Sequence, residues 1–161
     1  MIIILMGVSG SGKTTIGQRL AQELGWPFSD GDQFHPRANI AKMQQGMPLS
    51  DEDRWPWLHA LRTHIETCMR QGLSAVLACS ALKQVYRAYL LIDEAEVRLV
   101  YLQGDYDLIH ARLTQRPGHF MPTGLLASQF AALEEPARGV VVDVVHPPAT
   151  LVALIRHQLG V

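Results

Sequence analysis

Residues 1–15, MIIILMGVSGSGKTT, pass from an apolar segment through a glycine-rich turn into a stretch able to form a helix. Met1 to Met6 has no polar side chain and carries consecutive isoleucines, the composition of a parallel strand covered on both faces. It is too short for a signal-peptide core or a membrane span. Gly7-Val8-Ser9-Gly10-Ser11-Gly12-Lys13-Thr14 then fits G-x-x-x-x-G-K-[ST] at every position. In such a loop the glycines let successive backbone N–H groups converge on a phosphate, and the helix N-terminus behind it adds partial positive charge. Lys13 would bridge β- and γ-phosphates, and the Thr14 hydroxyl would hold Mg²⁺. Residues 7–14 together with Thr15 are thus candidates for binding ATP, the alternative being a glycine-rich turn without a ligand.

The chain has 161 residues and is 48% hydrophobic, which fits one compact domain, 1–161. Its 14 Lys and Arg against 15 Asp and Glu give a formal net charge of -1, so there is no global electrostatic case for nucleic acid or an anionic membrane as partner. Any anion site must be local. Cys68 and Cys79 lack CxxC spacing, which argues against a disulfide framework and a zinc knuckle and suits a reducing cytosol. The histidines form no HxxxH or HExxH pair, so zinc is not expected.

Hydrophobic periodicity lays out the remaining elements. Ile16, Leu20 and Leu24 recur at four-residue spacing, and Gly25 is placed to stop that helix. Phe28 to Asp30 reads as a brief second strand, and residues 36–46 as a helix. Ser50 and Asp53 form an [ST]-x-x-[DE] helix start, yet Pro56 would break a ladder bond a turn later. A short turn is therefore expected, then a helix from about Pro56 that buries Leu58, Leu61, Ile65 and Met69. Ser74 to Cys79 and Val97 to Leu102 are further strands, separated by a helix over Leu82 to Leu91 with an apolar stripe of Val85, Tyr86 and Tyr89. Asp105 can cap a helix that buries Leu108, Ile109 and Leu113, until Pro117-Gly118 interrupts it. A short helix around Leu125 to Leu133, a strand over Val140 to Val144 and a last helix opened by Pro147 or Pro148 follow, the last carrying Leu151, Leu154, Ile155 and Leu159. Strands alternating with helices predict an α/β three-layer sandwich around a five-stranded, mostly parallel sheet. Its movable parts would be residues 36–72 and a lid at about 117–124.

A phosphate loop alone does not choose between kinase, GTPase and motor. No N-K-x-D-like segment follows a strand, and the strand ending at Cys79-Ser80 lacks the acid that would help Mg²⁺. Asp30, ending the neighbouring strand, is the natural substitute. Asp30 and Asp32 are two apart and share a face in extended geometry, so one could take the metal side while the other accepts a hydrogen bond from an attacking hydroxyl. A plain Asx-turn around Gly31 is the competing reading. Arg54, among Asp51, Glu52 and Asp53, is either a surface ion pair or a fork for a substrate carboxylate or phosphate. Arg112 and Arg116 stand at i and i+4 just before the proline; one could stack on adenine and the other neutralise a transferring phosphoryl group, against the alternative of a solvated helix end. His35 and His119 are marked only by position.

Five segments together carry a more specific pattern: LMGVSGSGKTT, DGDQFHPRANIAKMQQGMPLSDEDRWPWL, CSALKQVYRAYL, YLQGDYDLIHARL and RPGHFMPTGLLASQFAALEEP, which span most of residues 5–136. In these the chain resembles the small gluconate kinases, P-loop relatives of shikimate kinase and the nucleoside monophosphate kinases. The resemblance implies ATP- and Mg²⁺-dependent phosphorylation of D-gluconate at its 6-hydroxyl by a cytoplasmic homodimer with a mobile lid. It also implies that Arg54 holds the sugar-acid carboxylate, that Asp32 faces the hydroxyl and that Asp30 stands on the metal side. His35, Lys83 and Arg87 would line the polyol site, and His119 would belong to the lid. Lys13, Asp32 and Arg116 are the expected catalytic residues. A kinase for another small acid or a nucleotide, and a non-catalytic nucleotide-binding switch, are the alternatives. Pro117 and the EEPARGVVVDVV connection depart from the family pattern, the latter near the expected adenine-contacting loop at Asp143 to Pro147.

Overall fold

The computed structural model describes residues 1–115 and 123–161. Its sheet has the order β2-β3-β1-β4-β5, formed by β1 (Ile2–Met6), β2 (Phe28–Asp30), β3 (Ala75–Ala78), β4 (Val97–Gln103) and β5 (Val140–Asp143). Every pairing is parallel, so the expected mostly parallel sheet is wholly so. The helices of the described residues are α1 (Lys13–Leu24), α2 (Arg37–Gln44), α3 (Asp51–Arg70), α4 (Gln84–Leu90), α5 (Tyr106–Thr114), α6 (Thr123–Ala132) and α7 (Pro148–Leu159). Among the described residues, no helix is long and apolar enough to cross a membrane.

Side-chain alternation along β1 divides the core. Ile3 and Leu5 join Ile16 and Leu20 of α1, Ile109 of α5, and Leu151, Val152 and Ile155 of α7 on one face. Ile2, Ile4 and Met6 join Trp57, Leu58, Leu61 and Ile65 of α3 with Tyr86 and Leu90 of α4 on the other. Each fully buried aliphatic side chain contributes roughly 1.5–3 kcal/mol relative to an exposed one, and β1 contributes on both faces. Because α1 leaves β1 toward one face and α4 leaves β3 toward the other, a crevice opens outside the carboxyl ends of these neighbouring strands.

Three expectations are corrected. Helix α3 does not wait for Pro56 but runs unbroken from Asp51. Ser50 Oγ accepts from Asp53 N at 3.2 Å, and Asp53 Oδ2 accepts from Ser50 N at 2.9 Å, a reciprocal cap. Lys42 Nζ reaches the same carboxylate at 2.7 Å and Asn39 Nδ2 the Asp53 carbonyl at 2.7 Å. With its first turn held this firmly, the helix loses to Pro56 only the bond that residue's own amide would have made. Val85 does not belong to the buried stripe of α4: it is 50% exposed, and Tyr86, Arg87 and Leu90 form the buried face. In α7 likewise, Leu154 is exposed beside buried Leu151 and Ile155.

The turn after β2 lies hard against β3. A Cβ on Gly31 would collide with the Ala78 carbonyl oxygen and come within 3.4 Å of Cys79 Cα, and backbone cannot yield as a side chain can. Gly31→Ala should therefore lower stability by about 2 kcal/mol, seen as a lower urea midpoint at unchanged slope. An unchanged midpoint would mean that the turn has slack the structure does not show.

Candidate active site

The loop between β1 and α1 is shaped by close backbone approach. A Cβ on Gly7, whose φ is +150°, would meet Ser11 Oγ at 2.7 Å and the Leu102 carbonyl oxygen at 2.9 Å. The loop is tied to the end of β3 through Gly7 N, which donates to Ser80 O at 3.4 Å. Lys13 Nζ donates to Gly7 O and Val8 O, both at 2.9 Å, and so curls over the loop. Burial lowers the Lys13 pKa; the negative charges of Asp32 and Asp30 oppose this without reversing it. Ser11 is buried beneath the loop, and its Oγ has no hydrogen-bond partner among the described residues.

The two carboxylate oxygens of Asp30 work in different directions. Its Oδ1 accepts from Asp32 N at 3.1 Å, an Asx-type closure of the 3-10 turn Gly31–Phe34. Its Oδ2 accepts from Thr14 Oγ1 at 3.0 Å, which ties the end of the second strand to the first turn of α1. Trp57 Nε1 donates to Gly31 O at 2.8 Å and fixes the same turn from α3. Asp32 is left free to face the cleft. Desolvation raises its pKa, the Asp30 charge raises it further, and Lys13 offsets only part.

The opposite wall comes from α2 and α3. The His35 ring stacks on Trp57 with centroids 4.4 Å apart and an 11° interplanar angle, and Asn39 Nδ2 stands 3.3 Å from its Nδ1. Since an amide nitrogen can only donate, Nδ1 is the acceptor and Nε2 carries the proton. Arg54 Nη1 donates to Tyr86 OH at 3.4 Å, and Tyr86 OH donates to Asp51, which also receives Lys83 Nζ at 2.8 and 2.9 Å. This chain holds Arg54 at the cleft edge instead of letting it pair with the acids beside it in sequence. Together the two walls enclose a cleft of about 450 Å³, with Met43, Met47, Pro48 and Leu49 adding apolar surface.

Not every candidate reaches this cleft. Of the loop residues, Ser9, Gly10, Gly12, Lys13, Thr14 and Thr15 line it, while Gly7, Val8 and Ser11 are buried behind them. Lys83 is occupied by Asp51. Arg87, which the resemblance puts in the polyol site, is 5% exposed and donates through Nη1 to Ala81 O at 3.0 Å and Leu82 O at 2.8 Å. Its physical task is local: Ala81 has a φ of +42°, a left-handed conformation that a non-glycine residue keeps only when its neighbours hold it. Arg112 Nη2 donates to Val144 O at 2.6 Å, beside the expected adenine-contacting segment. Arg116, His119 and positions 117–122 of the expected lid lie outside the described residues. Ser80, Ser128 and Gln129 line the cleft without having been singled out, because nothing in their spacing marks a pairing formed across the fold.

Desolvation and the Arg54 charge together push the His35 pKa down to about 4. A base whose folded pKa is depressed stabilises the fold fully above its unfolded value near 6.5, and that contribution is lost as pH falls from there toward 4. NMR titration of the His35 ring should give a midpoint near 4, and the stability of His35→Gln should fall less than that of the parent between pH 6.5 and 4. A midpoint near 6.5 would remove the desolvated, Arg54-facing environment described here.

Comparison with known proteins agrees with this geometry. A family model described as an AAA domain matches residues 2–136. The thermosensitive gluconokinase of Escherichia coli K12 is 46% identical over 160 residues, covering 97% of this chain and 86% of that protein. The gluconokinase of Gluconobacter oxydans is 45% identical, over 96% of this chain and 89% of its own length. Among solved structures, a gluconokinase from Sinorhizobium meliloti superposes with a TM-score of 0.89 at 41% identity, covering 98% of this chain and 90% of that one. With the phosphate loop, the paired aspartates and the arginine-bearing wall in one cleft, the chain belongs to the gluconokinase family of P-loop kinases.

Proposed function

We propose that the protein transfers the γ-phosphoryl group of ATP to the 6-hydroxyl of D-gluconate, giving 6-phospho-D-gluconate and ADP. The observation that carries this is the single cleft with a phosphate-binding loop on one wall and Asp32, His35 and Arg54 on the other. Similarity to gluconokinases over nearly the whole chain favours gluconate over shikimate-type acids or nucleotides. A nucleotide-dependent switch would need no acceptor wall of this kind.

The roles follow from position. Residues 9–15 cradle the triphosphate, and Lys13 exchanges its loop carbonyls for β- and γ-phosphate oxygens. Thr14 and Asp30, hard oxygen donors already 3.0 Å apart, would hold Mg²⁺. Among the described residues no group of three or more His, Cys, Asp or Glu could cage a metal, which fits an ion carried largely by phosphate oxygens and water. When bound, Mg²⁺ supplies charge neutralisation to the phosphates. Asp32 accepts the proton of the 6-hydroxyl as the new O–P bond forms and the bond to the ADP oxygen breaks. Its raised pKa suits a base, though in a loose transition state its positioning of the hydroxyl matters as much. Arg54 takes the gluconate carboxylate, and the neutral His35 offers Nε2–H to a polyol oxygen. Residues 36–72 serve as the substrate-binding insertion of a single domain. We extend the family resemblance to a cytoplasmic homodimer, which sedimentation analysis would test.

The activity is tested by coupled ADP release across gluconate, related aldonates, shikimate and nucleoside monophosphates. Gluconate should give the largest kcat/KM; release with none of them would leave the switch. Asp32→Asn should lower kcat by roughly 10²–10⁴ with ATP affinity little changed. Near-normal turnover would exclude Asp32 from the proton step. Arg54→Ala should raise KM for gluconate by about tenfold or more, the loss of one charge-assisted pair. An unaltered KM would take the carboxylate away from Arg54.

A further inference from the structure

We infer that Gln129, on α6, is a positioning residue for the ATP-binding loop, an inference that rests on the kinase reading above. Its side-chain amide makes a directional pair with Ser9. Oε1 accepts from Ser9 N at 2.7 Å, and Nε2 donates to Ser9 Oγ at 3.0 Å. Rotating the amide by half a turn would set donor against donor, so the contact has only one workable orientation.

The peptide that Gln129 grips is the one that bends the loop. The Val8 carbonyl oxygen, on the other side of the Val8–Ser9 bond, accepts from Lys13 Nζ at 2.9 Å and from Ser11 N at 3.2 Å. That peptide plane is thus held at its oxygen by the loop's own lysine and at its nitrogen by α6. When Lys13 turns to phosphate, the oxygen keeps only its longer bond from Ser11 N, and the 2.7 Å bond to Gln129 becomes the shorter tie on that plane. The grip is firm because α6 is itself anchored, with Leu126 buried at 1% exposure and Phe130 edge-on to Tyr106 at 5.4 Å. Just beyond its C-terminus, Glu134 N donates to Leu82 O at 3.0 Å, and Glu134 Oε2 accepts from Gln84 N at 2.6 Å. The segment that steadies the ATP loop is therefore fastened to the β3–α4 corner that bears Ala81 and Lys83.

Calorimetric titration with a non-hydrolysable ATP analogue and Mg²⁺ tests this apart from turnover. If the parent protein does not bind the analogue, the kinase reading itself falls. If it does, Gln129→Leu should weaken binding by about tenfold, equivalent to about 1.4 kcal/mol, with KM for gluconate within about twofold. Ser9→Ala, which keeps the N–H to Oε1 bond, should lose less, about threefold, as expected for one neutral hydrogen bond. The double variant should bind no more weakly than Gln129→Leu alone, since both changes act on one contact. Unchanged analogue binding in Gln129→Leu, an equal rise in the gluconate KM, or strictly additive losses would each overturn the assignment. Should Gln129→Leu fail to fold, unaltered binding by Ser9→Ala overturns it as well.

Discussion

Burial of β1 on both faces is the constraint from which the rest of the architecture follows. Ile2 to Met6 are each 2% exposed or less, so helices must cover the sheet on either side and neighbours must flank the strand at both edges. A strand so enclosed can reach solvent only at its ends. Its carboxyl end is where the chain must turn, and it turns there through the phosphate loop. The rigidity of the loop's base is thus inherited from the core, not made by the loop itself.

Around that fixed base the polar groups are shared economically. Asp30 closes the turn with one oxygen and reaches Thr14 with the other. Tyr86 serves at once as core residue, acceptor for Arg54 and donor to Asp51. Such sharing frees Asp32 and His35 to face the cleft. Facing the cleft from a desolvated position keeps Asp32 from ordinary acidity, and the negative charge of Asp30 beside it adds to the effect.

Much of this was legible in the chain itself, for reasons that differ by element. The apolar run, the glycine pattern and the caps at Ser50 and Asp105 are local signals, and local signals survive folding. The limits of β2 were read to the residue because Pro27 and Gly31 bracket it. Pro56 misled because its cost was weighed alone, whereas Lys42 and Asn39 reinforce the first turn of α3 from another helix. Arg87 and Lys83 stand in motifs that point toward the acceptor, yet their partners, Ala81 O with Leu82 O and the Asp51 carboxylate, are chosen by tertiary proximity. Gln129 was invisible for the same reason, its partner being 120 positions away.

The hydroxyl of Tyr86 has a further consequence for charge balance. Its proton is spent on Asp51, which is already neutralised by Lys83, so Tyr86 can only receive from Arg54 and gives it no countercharge. Within this cluster the Asp51 carboxylate is taken by Lys83 and Tyr86, and Arg54 is held through the Tyr86 hydroxyl. A guanidinium held by a hydroxyl instead of a carboxylate keeps its charge unspent at the cleft edge.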